Sequence, residues 1–181
     1  MIEVEIRSKV EHLEIVRKRI IDLGGKFLKK ENQVDKIFGR DKDLDKEHKM
    51  IDGRFVGRIT RRGDNMAVEF KEVRRAGSGH EFRCVTFRIE DGVLLLQSLD
   101  YKEAFTISKV REEYELQGFK VCLDEVLGLG YYIEVEREFK SLEDKDDAVN
   151  ECSKLLNSID RGAKVEPKKY GDLMQEKLNK K

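Results

Sequence analysis

The sequence has no tryptophan, a single proline, three cysteines and three histidines. Cys84, Cys122 and Cys152 stand far apart with no Cys-x-x-Cys pair, which leaves no zinc or dithiol motif and marks them as ordinary buried thiols. His12, His48 and His80 are equally scattered, so neither a histidine metal centre nor a histidine-driven nucleophile has a basis here. Long apolar runs are missing too. Pieces such as residues 93–96 fall far below the roughly 20 residues that a bilayer span needs. The chain opens Met-Ile-Glu-Val-Glu rather than with a basic and then apolar leader. The expectation is a cytoplasmic protein without a membrane partner. Net charge is absent as well, 37 Lys and Arg balancing 37 Asp and Glu, which argues against long nucleic acid as a partner. There is no Gly-x-x-x-x-Gly-Lys phosphate loop, and Gly128-Leu129-Gly130 lacks the third glycine of a dinucleotide fingerprint.

What the chain does have is charge, at 41% of its residues, arranged with a period. Residues 1–9 alternate Ile2, Val4 and Ile6 with Glu3, Glu5, Arg7 and Lys9, a strand with one wholly charged face. Leu13, Val16, Ile20 and Leu23 follow at helical spacing, and Gly24-Gly25 supplies the stop. Residues 27–38 read as a weaker strand and residues 40–52 as an exposed charged loop, a candidate surface for a lid or a homodimer. A hairpin over 54–62 and 66–73 turns at Gly63-Asp64-Asn65, with another turn at residues 77–79. Residues 80–89 predict a strand and 92–99 a short buried helix. Residues 103–117 form one bent strand or two, another follows from 118–124, and 131–139 closes the run. Ser141 is the predicted cap of a helix whose apolar side carries Val149, Cys152, Leu155, Leu156 and Ile159. A short helix is expected near 170–178.

A chain of 181 residues without a low-complexity break fits one domain over 1–181, large enough to bury roughly 70% of its unfolded surface. About eight strands with two or three amphipathic helices indicate an α+β fold on an antiparallel sheet. Several strands carry charge on one face and aliphatics on the other. A closed or nearly closed eight-stranded barrel, a tunnel with helices packed outside, would place those charges in a wet lumen, whereas an open sheet would leave them in bulk water.

Glu3 and Glu5 emerge on the same face roughly 7 Å apart. If both are ionised in a barrel, their repulsion is roughly 2 kcal/mol at an effective dielectric near 20. Glu134 and Glu136 repeat the arrangement on the last strand. Two such pairs around one cavity would make a hard oxygen cage for Mg²⁺ or Mn²⁺, the alternative counter-ions being the chain's own cations in salt-bridge ladders. Arg7, Arg58, Arg61 or Arg62, Lys71, Lys109 and Arg111 all fall in predicted strands, and Lys109 and Arg111 share a face. Arginine forks and lysine point charges from several strands suit a triphosphate bridged by metal to carboxylates.

In this order the segments resemble the CYTH family, which groups class IV adenylate cyclases of the CyaB type with thiamine and inorganic triphosphatases. "IEVEIRSKV" is similar to the family's Glu-x-Glu-x-Lys signature at Glu3, Glu5 and Arg7, and "ENQVDKIF" to the entry into its second strand. "RFVGRITRR" resembles the arginine strand, with Arg58 and Arg61 as substrate-binding candidates, and "AVEFKEV" the lysine strand, with Lys71. "KVREEYEL" matches at Lys109 and Arg111, "VCLDEVLGLGYYIEVE" at Asp124, Glu134 and Glu136, and "EPKKYGDLM" looks like the tail of archaeal and bacterial cyclase-like members. The resemblance covers nearly the whole chain. It implies the triphosphate tunnel, Mg²⁺ or Mn²⁺ on Glu3, Glu5, Glu134 and Glu136, and catalytic roles for Arg7, Lys109, Arg111 and Asp124. Asp124 would position the nucleotide. It implies cyclisation of ATP to cyclic AMP and pyrophosphate, with a triphosphatase as the alternative and a non-catalytic binder of nucleotide or polyphosphate as a second. Three departures stand out: Arg7 replaces the signature lysine, Thr60 a second strand arginine, and Cys84, Thr86 and Arg88 an alternation of glutamates. They imply a weakened metal site or an altered substrate.

Overall fold

The computed structural model describes residues 2–46, 50–73, 81–85, 88–139 and 145–180. Their elements are β1 (Ile2–Val10), α1 (Leu13–Asp22), β2 (Lys26–Gly39), β3 (Phe55–Arg62), β4 (Asn65–Glu72), β5 (Glu81–Val85), α2 (Ile89–Ser98), β6 (Lys102–Leu116), β7 (Phe119–Val126), β8 (Gly130–Phe139), α3 (Lys145–Ile159) and α4 (Tyr170–Asn179). The fold is α+β, and its eight strands follow the order β1-β8-β7-β6-β2-β3-β4-β5. Every described register between neighbouring strands is antiparallel. The order ends at β1 and β5, so hydrogen bonds do not close the sheet among the described residues. β5 is only five residues long. The outer edge of β1 is taken by the C-terminal chain: Ser8 bridges Val165, and the Glu166 N–H donates to the Arg7 carbonyl at 2.8 Å. No helix among the described residues is long and apolar enough to cross a membrane.

The chain forms two compact units, one from Met1–Glu31 with Lys109–Lys181 and the other from Asn32–Ser108. In the first, strand alternation works as the sequence predicts. Val4, Ile6 and Val10 of β1, with Val121 and Leu123 of β7 and Ile133 and Val135 of β8, bury one face against α1 and α3. Each fully buried aliphatic contributes roughly 1.5–3 kcal/mol. Ala148, Cys152, Leu155, Leu156 and Ile159 form the stripe of α3; Val149, expected on it, is 36% exposed, because one residue further along turns the side chain about 100° away. The helix α1 ends where Gly24 takes φ +91°. A Cβ on the next residue, Gly25, would lie 2.4 Å from Ile20 Cγ2 and 2.7 Å from the Ile20 carbonyl oxygen. Because one of those atoms is helix backbone, Gly25→Ala should cost about 2 kcal/mol, seen as a lower urea midpoint at unchanged slope.

In the second unit the predicted hairpin forms with β3 and β4 paired from Phe55↔Glu72 to Arg62↔Asn65. Ile59, Val68, Phe38 and Tyr101 pack on Leu96 of α2. The expectation of a buried helix here needs correction: Gly92 and Leu96, four residues apart, face the sheet, while Leu94 is 64% exposed. Within 40–52, the described residues, 40–46 and 50–52, are more ordered than an exposed loop. They contain a 3-10 turn at Asp41–Asp43, a bridge between Leu44 and Met50, and a buried Asp43 accepting from Arg40 Nε at 2.6 Å. The strand expected over 80–89 is shorter, and Arg88 instead precedes α2, 3.8 Å from both Glu90 and Asp91. The turn at residues 77–79 and the Ser141 cap lie outside the described residues.

Candidate functional site

Four strands of the first unit present their second face as a sheet of charge. Antiparallel pairing sets Glu5 opposite Glu136 and Arg7 opposite Glu134. β7 places Lys120 beside Glu136, Cys122 beside Glu134 and Asp124 beside Tyr132. β6 adds Arg111 opposite Asp124 and Lys109 opposite Val126. Since the aliphatic neighbours of these residues fill the core, alternation forces them to the other side. Glu3 stands opposite Glu138 in the same row as Glu5, and its side chain lies outside the described residues.

Carboxylates and cations interlock on this face. Asp124, wholly buried, accepts from Arg111 Nε at 2.7 Å, Arg111 Nη2 at 2.6 Å, Lys109 Nζ at 3.0 Å and the Tyr170 hydroxyl at 2.8 Å. Arg111 also donates to Glu134, and its Nη1 is 3.5 Å from Glu136 Oε1. Arg7 donates to Glu5 and to the Lys168 carbonyl, the latter at 3.0 Å, and its guanidinium lies 4.4 Å from the Tyr170 ring centre. Burial alone would push the Asp124 carboxyl up, but Arg111 and then Lys109 outweigh it and hold it below the usual range. Glu136 goes the other way: burial, with Glu134 adding to it, outweighs Lys120 and Arg111 and pushes its carboxyl up. Arg7 and Arg111 resist the lowering effect of burial through their carboxylate partners and stay fully charged.

Among the described residues, Glu5, Glu134 and Glu136 each offer an oxygen within 4.8 Å of the others. Glu134 Oε1 is buried and has no hydrogen-bond partner. It lies 2.9 Å from Arg7 Nη2, an ion pair without hydrogen-bond alignment. Three converging carboxylates with one under-satisfied oxygen fit a hard divalent cation, and the arginines neutralise the group meanwhile. Of the predicted residues, the fold brings together Glu5, Arg7, Lys109, Arg111, Asp124, Glu134 and Glu136.

Tyr170 was not legible as part of this face. At the start of a short amphipathic helix it reads as core, yet α4 sets it on the charged face, stacked edge-on to Tyr132 with ring centres 5.1 Å apart. Unlike α1 and α3, which pack on the aliphatic side, α4 therefore meets the polar side. Burial, with Glu134 and Asp124 beside it, drives the Tyr170 hydroxyl well above its ordinary pKa, so it acts as a fixed donor.

The second unit holds its own charged row. Arg58 Nε donates to Glu69 at 2.8 Å, and Arg62 Nη2 lies 2.7 Å from Asp35, which pairs across from Thr60 between them. Alternation puts Arg61 on the opposite face, donating to the Gly63 carbonyl at 3.1 Å, so Arg62 rather than Arg61 accompanies Arg58. Lys71 falls in the row of Glu69. Cys84 pairs with Val68 of the apolar row, while Arg83 pairs with Glu69, so position 84 takes no carboxylate from the charged row; Thr86 lies outside the described residues.

One further charged group sits on the core side of the first unit. Glu112 accepts from Arg17 Nε at 2.8 Å, Lys30 Nζ at 3.0 Å and the Tyr114 hydroxyl at 2.9 Å. Burial would push its carboxyl up, but these three hydrogen bonds, Arg17 first, bring it down to about 2 from the ordinary 4.5. A carboxyl depressed in the folded state contributes stability that is complete above about 4.5 and lost as pH falls towards about 2. Glu112→Gln should therefore flatten that part of the stability profile, measured by urea unfolding at pH steps between those values, and leave its shape above pH 6 unchanged.

The chain is similar to known proteins in both sequence and fold. A model of the CYTH domain matches residues 1–166. A candidate adenylate cyclase of Methanocaldococcus jannaschii is 29% identical over 163 residues, covering 88% of this chain and 90% of the relative. Among solved structures, a Pyrococcus horikoshii protein superposes with a TM-score of 0.76 at 23% identity, covering 97% of this chain and 99% of that one. A Hippeastrum protein, a candidate adenylyl cyclase described as having a dominant triphosphatase activity, gives 0.66 at 14% identity over 98% and 96%.

Proposed function

Because the chain belongs to the CYTH family, we propose that it is a divalent-metal-dependent enzyme acting on a triphosphate-bearing substrate, and that the reaction is cyclisation of ATP to cyclic AMP and pyrophosphate. The observation that carries this reading is the convergence of exposed Glu5 with buried Glu134 and Glu136 beside Arg7 and Arg111 on one charged face. The three glutamates would hold Mg²⁺ or Mn²⁺, which when bound polarises phosphoryl oxygens and neutralises their charge. In the cyclisation the ribose 3′-oxygen bonds to the α-phosphorus as its O–H bond breaks and the proton passes to water, the bond from that phosphorus to the bridging oxygen breaks, and pyrophosphate leaves with the electron pair.

Arg7, Lys109 and Arg111 place positive charge where a polyanion would lie and where charge accumulates on the leaving group. Arg7 has no proton to give up at physiological pH, so it orients and neutralises and does not act as a base. Asp124, with its oxygens taken by Arg111, Lys109 and Tyr170, positions those cations rather than the nucleotide. Within the second unit, the row of Arg58, Arg62 and Lys71 is a candidate phosphate-binding row in its own right.

The second reading is hydrolysis of the outer phosphate of tripolyphosphate, thiamine triphosphate or a nucleotide. The triphosphatase activity in the description of the Hippeastrum neighbour favours it. Incubation with ATP, and separately with tripolyphosphate, in Mg²⁺ or Mn²⁺ separates the two. Cyclic AMP with pyrophosphate establishes the cyclase, and orthophosphate the triphosphatase. Saturable binding without either product would overturn both.

A further inference from the structure

Lys120 has no role in the reaction described above, yet it touches the acidic group directly. It stands on β7, directly across from Glu136 on β8 and from Glu115 on β6. Its ammonium pairs with Glu136 Oε2, while the other oxygen, Oε1, lies 3.5 Å from Arg111 Nη1 and 3.7 Å from Cys122 Sγ. Both oxygens of Glu136 are thus engaged by the chain itself.

The two cations on Glu136 are not equivalent. Arg111 has an 11% exposed side chain and is locked by Asp124 and Glu134. Lys120 has a 42% exposed side chain, carries its charge on a flexible four-carbon stem and makes one described ion pair. It also has somewhere to go: solvent on one side, and Glu115 directly across on the neighbouring strand, with the charge of Glu113 close enough to act on it.

We infer that Lys120 is a resident counter-ion of the acidic group, holding one oxygen of the Glu136 carboxylate that would ligate a divalent cation, so that cation affinity is set by competition between the two. The inference rests on the reading of Glu5, Glu134 and Glu136 as a cation group. Two charges of the same sign on one carboxylate repel strongly in a partly buried setting, so the ammonium swings out towards Glu115 when the cation arrives. Affinity for the metal is thereby held down, and the group stays neutral without it.

The test is a Mn²⁺ titration of the full chain without nucleotide, following free Mn²⁺ by its paramagnetic resonance signal, for the wild type, Lys120→Gln and Glu136→Gln. Circular dichroism checks that each variant is folded. Lys120→Gln should bind Mn²⁺ about five- to tenfold more tightly, at and slightly above the top of the range for partly exposed ion pairs, and Glu136→Gln should bind it more weakly than the wild type. Equal affinity in the wild type and Lys120→Gln, with Glu136→Gln still impaired, overturns the competition and leaves the metal reading standing. No binding by any of the three, or undiminished binding by Glu136→Gln, overturns the metal reading and the competition with it.

Discussion

Replacing Asp124 with alanine should lower the melting temperature by about 10 °C. The carboxylate is wholly buried and receives two hydrogen bonds from Arg111, one from Lys109 and one from Tyr170. Removing it takes from Lys109 its described ion pair and leaves Arg111 to Glu134 and Glu136 alone, on a face where both side chains are themselves largely buried. Breaking one partner out of a buried pair costs roughly 3–5 kcal/mol, and for a chain of this length each kcal/mol moves the midpoint by roughly 2–4 °C. Asp124→Asn keeps the shape and one acceptor and should lose less. A midpoint within about 2 °C of the wild type for Asp124→Ala would mean that water already solvates Arg111 and Lys109, and that the buried network is not what holds this face together.

Turnover, by contrast, should be most sensitive to Glu134. Glu134→Gln is nearly isosteric, so the β8 backbone and its pairing with β1 should persist, but the variant withdraws one negative charge from between Arg7 and Arg111 and turns one of three converging carboxylates into a neutral, weaker amide ligand. A fall of about 100- to 1000-fold in the rate of product release from ATP or tripolyphosphate is expected, the size found when a preorganised charge is deleted from an active site. Glu125→Gln, on exposed β7 surface, should change nothing. A Glu134→Gln enzyme that keeps more than a tenth of its rate would place the chemistry elsewhere.

Much of this face could be read from alternation alone. A strand of period two with glutamates and arginines on one side states which residues share a row, and in β1 and β8 the rows are the ones the sequence predicts. Arg61 against Arg62 was harder, because which of two adjacent arginines shares Arg58's side depends on strand parity, and parity became fixed only with the pairing of β3 to β4. Asp124 was legible as a candidate, but not its surroundings: a single aspartate among apolar neighbours gives no hint that four donors from two other elements converge on it. Tyr170 and Lys120 escaped for the same reason. Their significance lies in contacts across 46 residues in one case and across a strand pair in the other, and periodicity carries no information about either. The exposed side of α2 was not legible, because a run of apolar residues has the same composition whether one face or all of it is covered.

The first unit is built from the two ends of the chain, residues 1–31 and 109–181. Its opening strand emerges from the ribosome long before β8, which begins at Gly130 and is the strand it pairs with. At roughly 5–20 residues per second, β1 waits on the order of 6–25 s with an aliphatic face exposed. The contiguous stretch Asn32–Ser108 can assemble in the meantime. Vectorial synthesis therefore orders the two units in time: the charged face acquires Glu134 and Glu136 only once β8 has been made, and a nascent chain stalled before β8 holds Glu5 alone of the three glutamates.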